Sequence, residues 1–325
     1  MSTSAPRRAV RLDPELPLLR GWSTERKVAE GVQARIFLVH RAGDAQRRPF
    51  AAKVARLSSP EGWPYCVAEQ RWRLLREVAV LCSLAEAGCP NVPRVIEHGL
   101  ETERSQEPWF VMPFYAGGAM WRLAGGEGRW AEAYQGDVGR VLEIAEGLAT
   151  TLAVMHEREP WCIHRDLNAS NVLFARPGGA PILADFGIAH PHGYPDRPCK
   201  AAGMEDSASG SSAPWRWRPP ELTRAGAEET PAVDVFMLGG LIVESLSEGL
   251  DLPAGAYWPD VELSPDPEQL LVHHSTDPRV GLVVELAGRM LASDPIRRPP
   301  ARAVAHACRS IRRAATGARQ RRLHG

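Results

Sequence analysis

The stretch Ile163-His164-Arg165-Asp166-Leu167-Asn168-Ala169-Ser170-Asn171-Val172-Leu173-Phe174, with Ile182-Leu183-Ala184-Asp185-Phe186-Gly187 close behind it, decides how this chain is read. An Asp, an Asn five residues later and a second Asp after a short hairpin form a set of oxygen-bearing side chains. Asp166 suits the work of orienting a hydroxyl or accepting its proton. Asn171 and Asp185 offer the hard oxygen ligands that Mg²⁺ prefers. Phosphoryl transfer needs both parts: a cation to neutralise phosphate oxygens and a carboxylate to aim the attacking hydroxyl.

Working outward, short apolar runs lie upstream of this stretch. Lys27 to His40 alternates and Phe50 to Ala55 is apolar, and both read as strands. Tyr65 to Ala85 reads as a helix, with Leu74, Leu75, Val78, Leu81 and Leu84 near helical spacing. Val92 to Glu97 and Trp109 to Phe114 read as two more strands. Beyond Gly118 the character turns helical, over Val138 to His156, Asp234 to Ser247 and Val280 to Leu291. Gly203 to Pro214, rich in Ser, Gly and Ala, reads as a mobile loop. A small β-rich half followed by a larger α-rich half predicts two lobes with a cleft between them.

At the stretch quoted first, the chain resembles the eukaryotic-like protein kinase family. Seven fixed positions of H-R-D-x-x-x-x-N and D-F-G stand at family spacing. The resemblance covers about residues 20 to 313. It implies an α+β, two-lobed protein-kinase-like fold, with an arm over 1–20, an N-lobe over about 21–112, a C-lobe over about 116–313 and a basic tail over 314–325. It also implies ATP and Mg²⁺ as cofactors, proteins as substrates, Asp166 as the catalytic carboxylate, and Asn171 and Asp185 as the metal ligands.

Further positions carry over one by one. Phe50-Ala51-Ala52-Lys53-Val54 looks like the strand with the ATP-binding lysine, and Glu77 stands where the family has that lysine's partner. Glu69 is a weaker competitor for that place. Trp109 to Gly118 resembles the segment between lobes, with Met112 as gatekeeper and the Pro113 carbonyl and Tyr115 backbone meeting adenine. Arg218-Pro219-Pro220-Glu221 stands where the family has A-P-E, with Arg298 as the partner of Glu221. Asp234 resembles the helix aspartate that holds the catalytic-loop backbone, and His156 reads as structural. Arg165 often binds an activation-loop phosphate in the family, and Ser207, Ser209, Ser211 and Ser212 are the candidate acceptors here.

The pattern also departs from the family. The glycine-rich loop is reduced to Gly31 within Ala29-Glu30-Gly31-Val32-Gln33-Ala34-Arg35-Ile36, with alanine at Ala29 and Ala34. Alanine there restricts the close backbone approach to phosphate that glycine allows. Asn168 stands where Ser/Thr kinases carry a lysine beside the transferring phosphate, so the catalytic loop lacks that charge. Pro214 falls near a family threonine. The expected function is transfer of the ATP γ-phosphate to protein Ser/Thr hydroxyls. The competing reading is a pseudokinase that serves as a nucleotide- or protein-binding scaffold. A small-molecule phosphotransferase is disfavoured by Glu221 and Arg298.

Composition bounds the rest. The chain has 325 residues, 44% hydrophobic and 24% charged, as in globular domains. It contains no run of 18 apolar residues and no secretory signal. Six cysteines without CxxC pairs fit reduced thiols in a cytoplasmic protein. Input is then expected from a cytosolic activator or from autophosphorylation. Of 39 basic residues only Lys27, Lys53 and Lys200 are lysine, a bias that points to a bacterial source. Pro295 to Gly325 holds nine arginines and no acid. A solvated helix end is the plainer reading of that run, and nucleic acid is not expected as a partner.

Overall fold

The computed structural model describes residues 16–31, 34–56, 67–100, 107–124, 127–130, 137–193, 217–223, 228–246 and 277–323. Ser207, Ser209, Ser211, Ser212, Pro214 and the rest of the Gly203–Pro214 loop lie outside the described residues, as does the Glu69 side chain. The chain divides into two compact units, one of residues 1–71 with 96–114, the other of 72–95 with 115–325.

The first unit is a five-stranded antiparallel sheet. Its strands are β1 (Trp22–Glu30), β2 (Ala34–Arg41), β3 (Phe50–Ala55), β4 (Glu97–Gly99) and β5 (Trp109–Pro113), in the order β1-β2-β3-β5-β4. Its core joins Trp22, Phe37, Val39, Ala52, Val54, Trp109 and Val111. Leu19 is buried in that core and Leu16 packs against it, so the last residues of the expected loose arm belong to the sheet's packing.

Two expectations about strands are corrected here. The alternating run Lys27 to His40 is two strands, folded back at Gly31, whose N–H donates to the Ala34 carbonyl at 2.9 Å. The expected strand Val92 to Glu97 is displaced to Glu97–Gly99. Pro93 has no N–H for a ladder, and Asn91 takes a left-handed φ of 56°.

The second unit is mostly helical. α1 (Val67–Glu86) begins in the first unit and runs into this one. α2 (Val138–Glu157) opens on Asp137, whose side chain accepts from the Arg140 N–H at 3.0 Å, and it buries a stripe from Val138 through Leu148 to Met155. α3 (Ala232–Leu246) is buried on nearly all sides. α4 (Val280–Met290) and α5 (Ala301–Leu323) complete the set.

Short strands carry the loops. β6 (Gly118–Ala119) pairs with β10 (Val172–Phe174), which pairs with β11 (Pro181–Leu183). β9 (Cys162–Ile163) pairs with β12 (His190–Pro191). β7 (Trp121–Ala124) and β8 (Glu127–Trp130) form a hairpin with Trp121 opposite Trp130. That hairpin corrects the expectation that everything beyond Gly118 is helical.

The arginine-rich end is partly explained by packing. α5 runs along α2, where Arg309 and Arg312 both bond Glu146, at 2.7 and 2.6 Å, and Arg302 bonds Glu157. Among the described residues no helix is long and apolar enough to cross a membrane.

Candidate active site

The first unit gathers Ala29, Ala34, Ile36, Lys53, Met112 and Pro113 on one sheet, with Gly31 at the turn between β1 and β2. Ala29 sits opposite Ile36, Ile36 opposite Lys53, and Pro113 opposite Phe50. Lys53 is buried at 8% exposure in an otherwise apolar strand, an expensive place for a cation without a task. Met112 is buried as well. The tip of the β1–β2 hairpin is held by charge. Glu30 pairs with Lys27 at 2.6 Å and with Arg56 at 2.8 Å, and Arg56 also donates to the Gly31 carbonyl.

The second unit holds the loop after β9. Asp166 is clamped by two amides. Asn168 Nδ2 donates to its Oδ1 at 3.0 Å and Asn171 Nδ2 to its Oδ2 at 3.0 Å; both also reach its carbonyl, at 3.1 and 2.8 Å. Burial, and then the charge of Asp185, pushes the Asp166 carboxyl up to about 7 against these bonds and the opposing pull of Arg73. Asn168 Oδ1 in turn accepts from the Ser170 N–H and hydroxyl, capping the one-turn helix Ala169–Asn171. Asn168 is thus engaged inside the loop and brings no charge.

Asp185 reaches this loop through backbone pairing, since Ala184 N donates to the Asn171 carbonyl at 2.8 Å. Arg165 and Asp185 both have left-handed backbone, with φ of 68° and 65°. Non-glycine residues hold that conformation only where surroundings impose it. For Arg165 the constraint is Asp234. Its Oδ1 accepts from Arg165 N at 2.9 Å, and its Oδ2 accepts from His164 N at 2.8 Å and His156 Nε2 at 2.9 Å. Burial alone would raise the Asp234 carboxyl, but the bond and charge of His156 and His164 outweigh it and hold it low. His164 accepts at Nδ1 from Asp166 N and so donates from Nε2 to the Ala184 carbonyl, at 3.0 Å.

Glu77, buried on α1, accepts from Phe186 N at 3.3 Å. Glu77 and Lys53 fall in different units. Tyr115 opens a turn closed by the Gly118 N–H. Arg298 meets Glu221 through two parallel bonds, at 2.5 and 2.9 Å, both side chains buried. The Arg165 side chain is ion-paired with Glu229.

Sequence reasoning missed three residues here. Gln70 and Arg73 are buried on α1 with Glu77, at the i, i+3, i+7 spacing of one helix face, a signal readable from the sequence. Glu229 had no such signal.

Comparison with known proteins agrees with this geometry. The protein kinase domain family matches residues 22–307. Cyclin-dependent kinase G1 of Arabidopsis thaliana is 27% identical over 228 residues, 68% of this chain and 32% of that protein. Cyclin-dependent kinase 11 of Dictyostelium discoideum is 32% identical over 105 residues, 32% of this chain and 26% of that protein. Mitogen-activated protein kinase kinase kinase 1a of Physcomitrium patens is 26% identical over 178 residues, 54% and 20% of the two chains. The chain spans a third or less of the length of these curated relatives. All three are eukaryotic, and none supports the bacterial source expected from composition. With the family match running across nearly its whole length and the paired loops in place, the chain belongs to the eukaryotic-like protein kinase family.

Proposed function

We propose that this chain transfers the γ-phosphate of ATP, with Mg²⁺, to Ser/Thr hydroxyls of proteins. The observation that carries the reading is the Asp166 carboxylate, fixed by Asn168 and Asn171 and facing the charge of Asp185. A buried carboxylate whose ionisation is opposed by a second one fits a divalent cation. Asn171 spends its NH₂ on Asp166, which leaves its carbonyl oxygen to join Asp185 as a hard ligand. When bound, Mg²⁺ neutralises phosphate oxygens and ATP supplies the group that moves.

The chain's own residues then divide the work. Lys53 holds the ATP phosphates, and Ala29, Gly31, Ala34, Ile36, Met112, Pro113 and Tyr115 border the nucleotide. Asp166 orients the acceptor hydroxyl and takes its proton as the new O–P bond forms and the bond to the β-phosphate oxygen breaks. Asp185 opposes ionisation of Asp166, and a cation held there would relieve that opposition. Asn168 holds Asp166 in place. Glu77 ties α1 to Phe186. Asp234, Glu221 and Arg298 hold the loops around them.

Incubation with γ-labelled ATP and Mg²⁺, beside Asp166→Ala, tests this reading. Label on Ser or Thr that vanishes in the variant supports it. Asn168 favours a second reading, a nucleotide- or protein-binding scaffold, because the loop lacks the usual cation. Absence of label from any protein substrate, together with no thermal stabilisation by ATP–Mg²⁺, would favour a scaffold that binds protein.

A further inference from the structure

We propose that Glu229 is a positioning residue, a carboxylate built into the chain that serves Arg165 as counter-ion where a phosphate would otherwise be required. The inference rests on the kinase reading above and concerns the regulation of the same site.

Three observations carry it. First, the Arg165 backbone is pinned. Its N–H is held by Asp234 at 2.9 Å and its φ is 68°, so its backbone is set by α3. Second, that side chain is only 17% exposed, and it ends against the Glu229 carboxylate, itself 29% exposed. Glu229 lies just ahead of α3, where Val233 N closes the first turn onto the Thr230 carbonyl. Both partners are therefore anchored by one helix. Third, the other carboxylate that Arg165 meets, Asp234, is already committed: its oxygens accept from Arg165 N, His164 N and His156 Nε2, so it is not spent on the Arg165 side chain. A half-buried guanidinium needs an anion, and a charge-assisted pair is the strong form of that contact.

The catalytic consequence follows from sequence adjacency. Asp166 is the next residue, and the Glu229 pair adds a side-chain hold on Arg165 to the backbone hold from Asp234, so losing that pair loosens the approach to the Asp166 carboxylate. Phosphate on Ser207, Ser209, Ser211 or Ser212 is the competing source of negative charge. If Glu229 already supplies it, the chain is competent without that modification.

The test uses the full-length chain, treated with a phosphatase and shown by mass spectrometry to be phosphate-free. Its initial rate is measured against untreated protein. Glu229→Gln, which keeps shape and removes charge, is measured in parallel for kcat and for KM of ATP. Hydrogen–deuterium exchange over residues 217–231 is followed in both phosphate-free proteins. We expect phosphate-free wild type to keep at least half its rate. We expect Glu229→Gln to lose about tenfold in kcat, with KM for ATP within twofold and faster exchange over 217–231. A rate that collapses on dephosphorylation and returns on rephosphorylation overturns the proposal. So does a Glu229→Gln protein with unchanged kcat and unchanged exchange. Should no sample transfer phosphate, the kinase reading has failed, and exchange alone decides the counter-ion role. Faster exchange in the variant then upholds it and unchanged exchange overturns it.

Discussion

Asn168 Nδ2 lies 3.0 Å from Asp166 Oδ1 and 3.1 Å from the Asp166 carbonyl, so one amide fixes both the side chain and the backbone of the residue two places before it. The same Asn caps Ser170. Replacing it with alanine frees the carboxylate and uncaps the turn together. Asn168→Ala is expected to lower kcat about tenfold, equivalent to ~1.4 kcal/mol, with little change in KM for ATP. Steady-state kinetics at saturating Mg²⁺ check this.

Stability should depend on pH through Asp166. Its folded-state carboxyl is pushed up to about 7 from an ordinary value of 3.8. Between those values the folded chain keeps a proton that the unfolded chain has released. Stability contributed by this group is therefore present at low pH and lost as pH rises towards about 7. In metal-free buffer the melting temperature should carry a falling component from pH 5 to pH 8. Asp166→Asn should remove that component and melt higher than wild type at pH 8. A pH profile of the two proteins with identical slopes would refute the assignment.

The Arg298–Glu221 pair is buried, with Arg298 also donating to the Ala292 and Ala232 carbonyls and lying over the Phe236 ring at 4.7 Å. Arg298→Ala strands a buried carboxylate. We expect a loss of about 3–5 kcal/mol, the range for breaking such a pair by removing one partner. Urea unfolding measures it. A shift below about 1 kcal/mol would place the pair with ordinary surface bridges.

Gly240 on α3 has no room for a side chain. A Cβ there would sit 2.1 Å from Trp217 Cγ. Gly240→Ala should displace the Trp217 ring from the cluster of Phe236, Val243, Ala287 and Leu291. The expected cost is about 1–3 kcal/mol, typical of overpacking, with an altered tryptophan emission spectrum.

Thiol chemistry offers a solution check on the packing. Cys82 is exposed, whereas Cys89, Cys162 and Cys308 are buried free thiols. Burial pushes Cys89 up to about 11 and Cys162 and Cys308 up to about 12. A maleimide at pH 7.5 should label Cys82 within minutes. It should reach Cys89, Cys162 and Cys308 only on unfolding.

The Asp166–Asn171 clamp was legible because its contacts are local. Asp166, Asn168 and Asn171 lie within six residues, and the clamp that joins them needs no distant partner. Asp234, Glu221 and Arg298 were legible through spacing that only a family resemblance made readable. Apolar runs located β3 and β5, whereas the alternation over Lys27 to His40 could not mark the fold at Gly31, because both strands share the pattern. Val92 to Glu97 looked like a strand by residue type, while Pro93 moved the pairing downstream. The β7–β8 hairpin was missed although Gly125-Gly126 between its strands is a hairpin signal. Glu229 was invisible for a physical reason. Its partner is 64 residues away, and an exposed-looking glutamate in a loop gives no hint of the guanidinium it meets.

The scarcity of lysine turns Lys53 into a chemical handle. Amine-directed acylation of this chain has three side chains to choose from. Lys27 stands 39% exposed beside Glu30, while Lys53 is buried in β3. In a protein that writes nearly all its positive charge as arginine, the mass added by a nucleotide-shaped acylating reagent becomes close to a single-residue measurement. Occupancy of the proposed nucleotide site can then be followed on the intact chain, without an acceptor substrate.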